Sequence, residues 1–200
     1  MSGPLPWYVA RASGLVAWAL LSAATLWGLT LSTKVLGRQP RPNWILDLHR
    51  WLGGAALIFT GVHVGALLAD RYVTFTPTDI LVPFPSHWHP MVVAWGIVSF
   101  YLLVAVELTS LARTHISKRL WRQVHYASFP LFAMATIHGL TASSDTQSLF
   151  ARLIALAVVT LVAGLTARRI AEEIRRQRPG ATPSRVRVPV VVDRGLAARR

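Results

Sequence analysis

The sequence predicts an all-α integral membrane protein, a bundle of five transmembrane helices. Three observations carry this. The 200-residue chain is 53% hydrophobic and only 14% charged, too apolar for an ordinary soluble domain. Its apolar residues gather in windows of about 18 or more, the length that crosses roughly 30 Å of hydrocarbon. Its cations cluster between alternate windows and at the C-terminus, the charge pattern of a polytopic membrane protein.

The first span is expected at 12–31. It could pass for a signal peptide, but Arg11 is its only early charge and the rest of the chain is equally apolar, so it reads as a span. "GRQPRPN" (37–43) then breaks the chain with two prolines that a helix does not tolerate. The second span is expected at 45–68. "RYVTFTPTDILVPFPSHWHP" (71–90) is the longest connection, and the third span follows at 90–111. "THISKRL" (114–120) is a short basic loop before the fourth span at 122–141. "TASSDTQ" (141–147) supplies capping residues for the fifth, at 149–167. Beyond Arg168, "RRIAEEIRRQR" reads as a helix leaving the membrane, "PGATPS" as disordered, and "RVRVPVVV" as a stretch able to pair as a strand. About thirty tail residues cannot bury a core of their own. The chain thus divides into a short N-terminus (1–11), one membrane domain (12–167) and a basic tail (168–200).

The net charge of +13 is informative through its placement. Lys34, Arg38, Arg41 and Arg50 flank one gap, Arg113, Lys118, Arg119 and Arg122 another, and the tail carries ten arginines from Arg168 to Arg200. The positive-inside rule puts these in the cytoplasm and the N-terminus outside. The expected location is a plasma membrane, the inner membrane of a bacterium, with lipid as the standing partner. Basic loops beside membrane spans need no other explanation, so no nucleic-acid partner is expected. There is no cysteine. That excludes disulfides, iron–sulfur clusters, thiolate zinc sites and thioether-linked haem.

Two of the spans carry an oddity. "DLHRWLGGAALIFTGVHVGALLAD" (47–70) holds His49 and His63, and "WRQVHYASFPLFAMATIHGLTA" (121–142) holds His125 and His138. The separations are 14 and 13 residues, about 21 and 19.5 Å of helix. Spans two and four run in the same direction, so His49 and His125 lie at one inner level and His63 and His138 at one outer level. Facing helices of a bundle build cofactor sites in this way, and two opposed imidazoles at one depth suit the axial positions of a haem iron. A single intramembrane histidine can merely hydrogen-bond a neighbouring helix. Four at matched depths are harder to dismiss, because ionisable groups are costly in lipid. Fourteen steps return within about 40° of the same helix face, whereas thirteen miss it by about 140°. Pro130 lies between His125 and His138 and can re-aim the upper half; laterally offset sites are the alternative.

These residues carry a family resemblance. The "LHRW" opening of span two, the 14-residue step to His63, the 13-residue step in span four and "IHG" at 137–139 resemble the ferric reductase-like transmembrane family. That family includes NADPH oxidases, ferric reductases and the haem subunit of the bacterial methionine-sulfoxide reductase system. Its core has six spans, and this chain is similar to the last five. The resemblance implies two haems b, with His49 paired to His125 near the cytoplasm and His63 to His138 near the outer face; members with one haem exist. Oxidases of the family append FAD and NADPH domains. This tail is too short for either and holds no G-x-G-x-x-G unit, so no FAD or NADPH site is expected and electrons must come from a separate redox protein or a quinol.

Arg50, Lys118, Arg119 and Arg122 sit at the inner level and are candidate partners for haem propionates; positive-inside anchoring asks for cations at the same depth. Arg71 and Tyr72 could serve outside. Glu107, near the inner end of span three, reads as snorkelling or pairing with Arg113. "SHWHP" (86–90) offers His87 and His89 as an outer metal site, though two histidines are an incomplete ligand set. His115 is a loop residue. Trp95, Phe100, Phe129 and Phe132 read as packing, and one of them could lie between the two levels. The reading as a whole is a membrane b-type cytochrome that moves electrons between cytoplasm and outer face, with haem sites between spans two and four. Its rivals are a haem-free transporter or channel using histidines for protons or metal ions, and a structural membrane subunit.

Overall fold

The computed structural model describes residues 5–33, 43–71, 73–142 and 148–177. Every regular element among them is a helix: α1 (Leu5–Thr33), α2 (Asn43–Ala69), the short α3 (Pro77–Leu81), α4 (Pro90–Leu111) with a 3₁₀ turn at Ala112–Thr114, α5 (Lys118–Tyr126), α6 (Ser128–Ala142) and α7 (Leu149–Gln177). The expected loop at 34–42, Tyr72, the turn at 143–147 and the tail beyond 177 lie outside the described residues. Four of the described helices are long and apolar enough to cross a membrane: Leu5–Thr33, Asn43–Ala69, Pro90–Thr114 and Leu149–Arg175. The chain is a multi-pass membrane protein.

The stretch expected as a single fourth span is divided. α5 ends at Tyr126 and α6 begins at Ser128, with Ala127 between them. Pro130 explains the break. It has no N–H to give the Tyr126 carbonyl, and its ring crowds that carbonyl. The ladder therefore tightens just before it: the Ala127 N–H donates to the Val124 carbonyl at 2.9 Å, and the regular pattern resumes with the Leu131 N–H on the Ala127 carbonyl at 2.9 Å.

Helix association inside a bilayer gains little from hydrophobic burial and depends on close packing and hydrogen bonds. α1 is built for this. Its buried stripe includes Ala10, Ser13, Ala17 and Ala24, small residues at helical spacing that let other backbones come near. It packs along α2, and also meets α6 and α7; α4 packs along α6. Two indoles fasten these contacts. Trp18 Nε1 donates to Thr136 Oγ1 of α6 at 3.1 Å, and Trp27 Nε1 donates to the Ile45 carbonyl of α2 at 2.8 Å. Leu21, Ala56, Leu103 and Leu131 form one core cluster where α1, α2, α4 and α6 converge.

Beyond α2 the chain forms a small cap. Thr76 and Asp79 make a reciprocal capping box at the start of α3, and the Tyr101 hydroxyl donates to the Leu81 carbonyl at 2.6 Å, tying the cap to α4.

Candidate functional site

The four histidines meet in two pairs. His49 of α2 faces His125 of α5, with ring centroids 6.1 Å apart and planes crossed at 74°. His63 of α2 faces His138 of α6 at 6.3 Å and 76°. The break before Pro130 is what allows both: it turns α6 relative to α5, so that His125 and His138 address the same helix despite their 13-residue spacing.

These spacings can be tested against haem. Two metal–imidazole bonds of about 2 Å each, with about 1.1 Å from nitrogen to ring centre on either side, put two axial imidazole centroids roughly 6 Å apart. Both pairs have that separation. A bare metal ion usually takes more protein donors than two, and among the described residues no group of three or more His, Asp or Glu side chains could hold one. Haem needs only two, because the macrocycle supplies the rest.

Tautomer and orientation are also set. Nδ1 of His63 lies 2.7 Å from the Ala10 carbonyl, Nδ1 of His49 3.1 Å from the Ala24 carbonyl, and Nδ1 of His138 2.8 Å from the Val92 carbonyl. Each Nδ1–H donates to the backbone of a neighbouring helix, which leaves Nε2 as the electron-pair donor. Such partners are what orient metal-binding imidazoles.

A helical carbonyl is ordinarily covered by the side chain four residues on, since helix side chains lean toward the N-terminus. Here that position is glycine each time: Gly14 follows Ala10, Gly28 follows Ala24, and Gly96 follows Val92. A Cβ would stand 2.9 Å from His63 Nδ1 at Gly14, 3.1 Å from His49 Cε1 at Gly28 and 2.8 Å from His138 Cε1 at Gly96. The glycines uncover the acceptor and make room for the ring together. Sequence reasoning missed all three. The signal was present, since Gly14 and Gly28 repeat at the 14-residue interval of His49 and His63.

His125 is the exception. Its Nδ1 is buried without a hydrogen-bond partner among the described residues, and so is the Trp121 Nε1 beside it. The two rings stack, 5.0 Å apart and 22° from parallel. The Arg113 guanidinium lies over the Trp121 ring at 5.3 Å, and Arg169 lies 5.5 Å over Tyr126. A buried donor without an acceptor calls for a further group at this level.

Arg50 forms an exposed ion pair with Asp47 at 3.3 Å. Lys118, Arg119 and Arg122 are exposed on α5, near His125, and Arg71 is exposed at the far end of α2. Glu107 does not pair with Arg113. Its carboxylate rests on Gly53 of α2, where a Cβ would collide with it. His89 is the N-cap of α4 in the left-handed region, φ 40°, with its ring edge-on to Trp88 at 4.7 Å. His87 lies in the field of Asp79, whose carboxyl is held below the usual range chiefly by the Thr76 hydroxyl and then by the Thr76 backbone N–H. His115 is exposed, with Thr114 Oγ1 at 3.1 Å. Phe132 packs with Leu29 and Val162, with Phe129 against them. The midpoint between the two histidine levels is occupied instead by Ala56 and Leu131, 0% and 2% exposed.

This architecture, a multi-pass helical bundle with opposed histidines, agrees with the comparison to known families. Residues 13–136 match the family described as ferric reductase like transmembrane component, and the chain belongs to that family. Its members generally bind haem and transfer electrons in membranes. The match takes in His49, His63 and His125 and ends two residues before His138. No curated protein and no solved structure matches the chain.

Proposed function

We propose that this chain is a membrane b-type cytochrome holding two bis-histidine haems, His49 with His125 and His63 with His138, and that it carries electrons across the bilayer. The supporting observation is the pair of centroid spacings, 6.1 and 6.3 Å, each fitting two axial ligands on one iron. When bound, haem supplies a reversible one-electron centre at each level. The residues around it do the rest. Carbonyls of Ala10, Ala24 and Val92 fix three imidazoles, and Gly14, Gly28 and Gly96 give them room. Leu21, Ala56, Leu103 and Leu131 keep water from the space between the levels. Arg50, Arg119 and Arg122, cations toward the inner ends of α2 and α5, would be the partners of anionic propionates.

The distribution of arginines favours the His49 level toward the cytoplasm and the His63 level toward the outer face, in what we take to be a plasma membrane. A separate redox protein or a quinol donates electrons at the inner level, and an acceptor takes them at the outer face. The test is spectroscopic. Membranes containing the protein should give a dithionite-reduced minus oxidised spectrum of the b type. The oxidised protein should give a strongly anisotropic low-spin ferric signal, because the paired imidazole planes are crossed at 74° and 76°. A flat difference spectrum at normal protein level would leave the haem-free transporter reading.

A further inference from the structure

The histidine pairs leave unused a carboxyl that lies inside an apolar span. Glu107 lies in α4, four residues before its last residue, Leu111, inside the apolar segment Pro90–Thr114. A carboxyl at such a depth is expensive and marks function by default. Its neighbours do not neutralise it. On the elements packed against α4, the ionisable groups at this end are Asp47, His49 and Arg50 of α2, Arg113 of the 3₁₀ turn, and Lys118, Arg119, Arg122, His125 and Tyr126 of α5. Arg50 pairs with Asp47 and Arg113 lies over Trp121. His49 gives its Nδ1 to Ala24, Tyr126 carries Arg169 on its ring, and α6 and α3 bring only His138 and Asp79, at the opposite end. Among the described residues, no ion pair or hydrogen bond to the Glu107 carboxyl exists.

Its position is specific. The carboxylate fills the notch left by Gly53 on α2. Gly53 follows His49 by four residues, so it lies on the same face, about 6 Å along the helix. The carboxyl therefore stands just central of the His49–His125 pair, in a medium of low dielectric where charges interact strongly.

We propose that Glu107 is the proton-binding partner of the inner haem: when that haem gains an electron, the Glu107 carboxylate takes up one proton from the inner aqueous phase, and it releases the proton on reoxidation. The balance is complete. A one-electron reductant gives one electron to ferric iron, a carboxylate O–H bond forms at Glu107, and the net charge of the region is unchanged. The inference rests on the haem reading above and adds to it a coupled proton at one level only. Among the described residues no carboxyl lies within a span beside the outer pair, which serves as the internal control.

The experiment is redox potentiometry of the purified haem-loaded protein across a pH series, together with proton uptake on reduction read by a pH-indicator dye. In the parent, one of the two waves should fall with pH at a slope approaching 59 mV per unit, the value for one proton per electron, and reduction should take up about one proton per chain. Glu107→Gln should flatten that wave, leave the other in place and abolish the uptake. Glu107→Asp should restore the slope. Two flat waves in the parent, or a slope unchanged in Glu107→Gln, would overturn the proposal. The parent measurement decides even where the variant fails to accumulate. Absence of any haem wave would instead overturn the cytochrome reading.

Discussion

Three of the four imidazoles, His49, His63 and His138, are set by a carbonyl on another helix, and the glycines are where that dependence can be tested. Gly96→Ala would press a methyl group on the His138 ring, 2.8 Å from Cε1. It should shift the midpoint potential or lower the occupancy of the haem on His63 and His138 and spare the other. Gly28→Ala should do the converse through His49, at 3.1 Å. Gly54→Ala is the control. A Cβ there meets nothing within 4 Å, and helix propensity alone favours alanine by up to about 1 kcal/mol. It should leave both potentials unchanged. Redox titration of the three variants checks all of this. His49, His63, His125 and His138 were legible in the sequence because spacing reports depth. The glycines were not, because their meaning lies in how closely α1 and α4 approach rings on α2 and α6. Glu107 shows the same limit. From sequence, Arg113 was a plausible partner six residues on, whereas the seat is a missing side chain at Gly53.

The division of α5 from α6 turns an awkward spacing into a usable one. An uninterrupted helix would set His125 and His138 about 140° apart around its axis, and only one could face α2. Pro130→Ala gives back the N–H and removes the clash with the Tyr126 carbonyl. The helix should then close over Ala127 and turn one histidine away. Pyridine haemochrome against quantified protein should fall from about two haems per chain toward about one, as thirteen steps of helix require. A ratio unchanged by the substitution would mean that tertiary contacts hold the break without the proline. The presence of Pro130 and its power to re-aim the upper half could be read from the sequence. The place of the break, at Ala127, could not, because it depends on which carbonyls find donors once the ladder is interrupted.

Across the whole molecule, the two histidine pairs form separate levels in one bundle, joined by an aliphatic layer. The apolar windows foretold the long helices well, since length and hydropathy are what a bilayer selects. Which residues fill the space between levels was not legible. Phe129 and Phe132 do pack, as the sequence suggests, but toward α1 and α7, and the layer is made by Leu21, Ala56, Leu103 and Leu131. Ala56 and Leu131 stand midway between the histidines on their own stretches, so the layer follows from the same spacing that separates the pairs. The most direct test of the two-level claim is redox titration of four single-ligand variants. His49→Ala and His125→Ala should leave the same surviving haem, with one shared potential; His63→Ala and His138→Ala should leave the other, with a second potential. A match of His49→Ala with His138→Ala would contradict the pairing, and with it the two-level architecture.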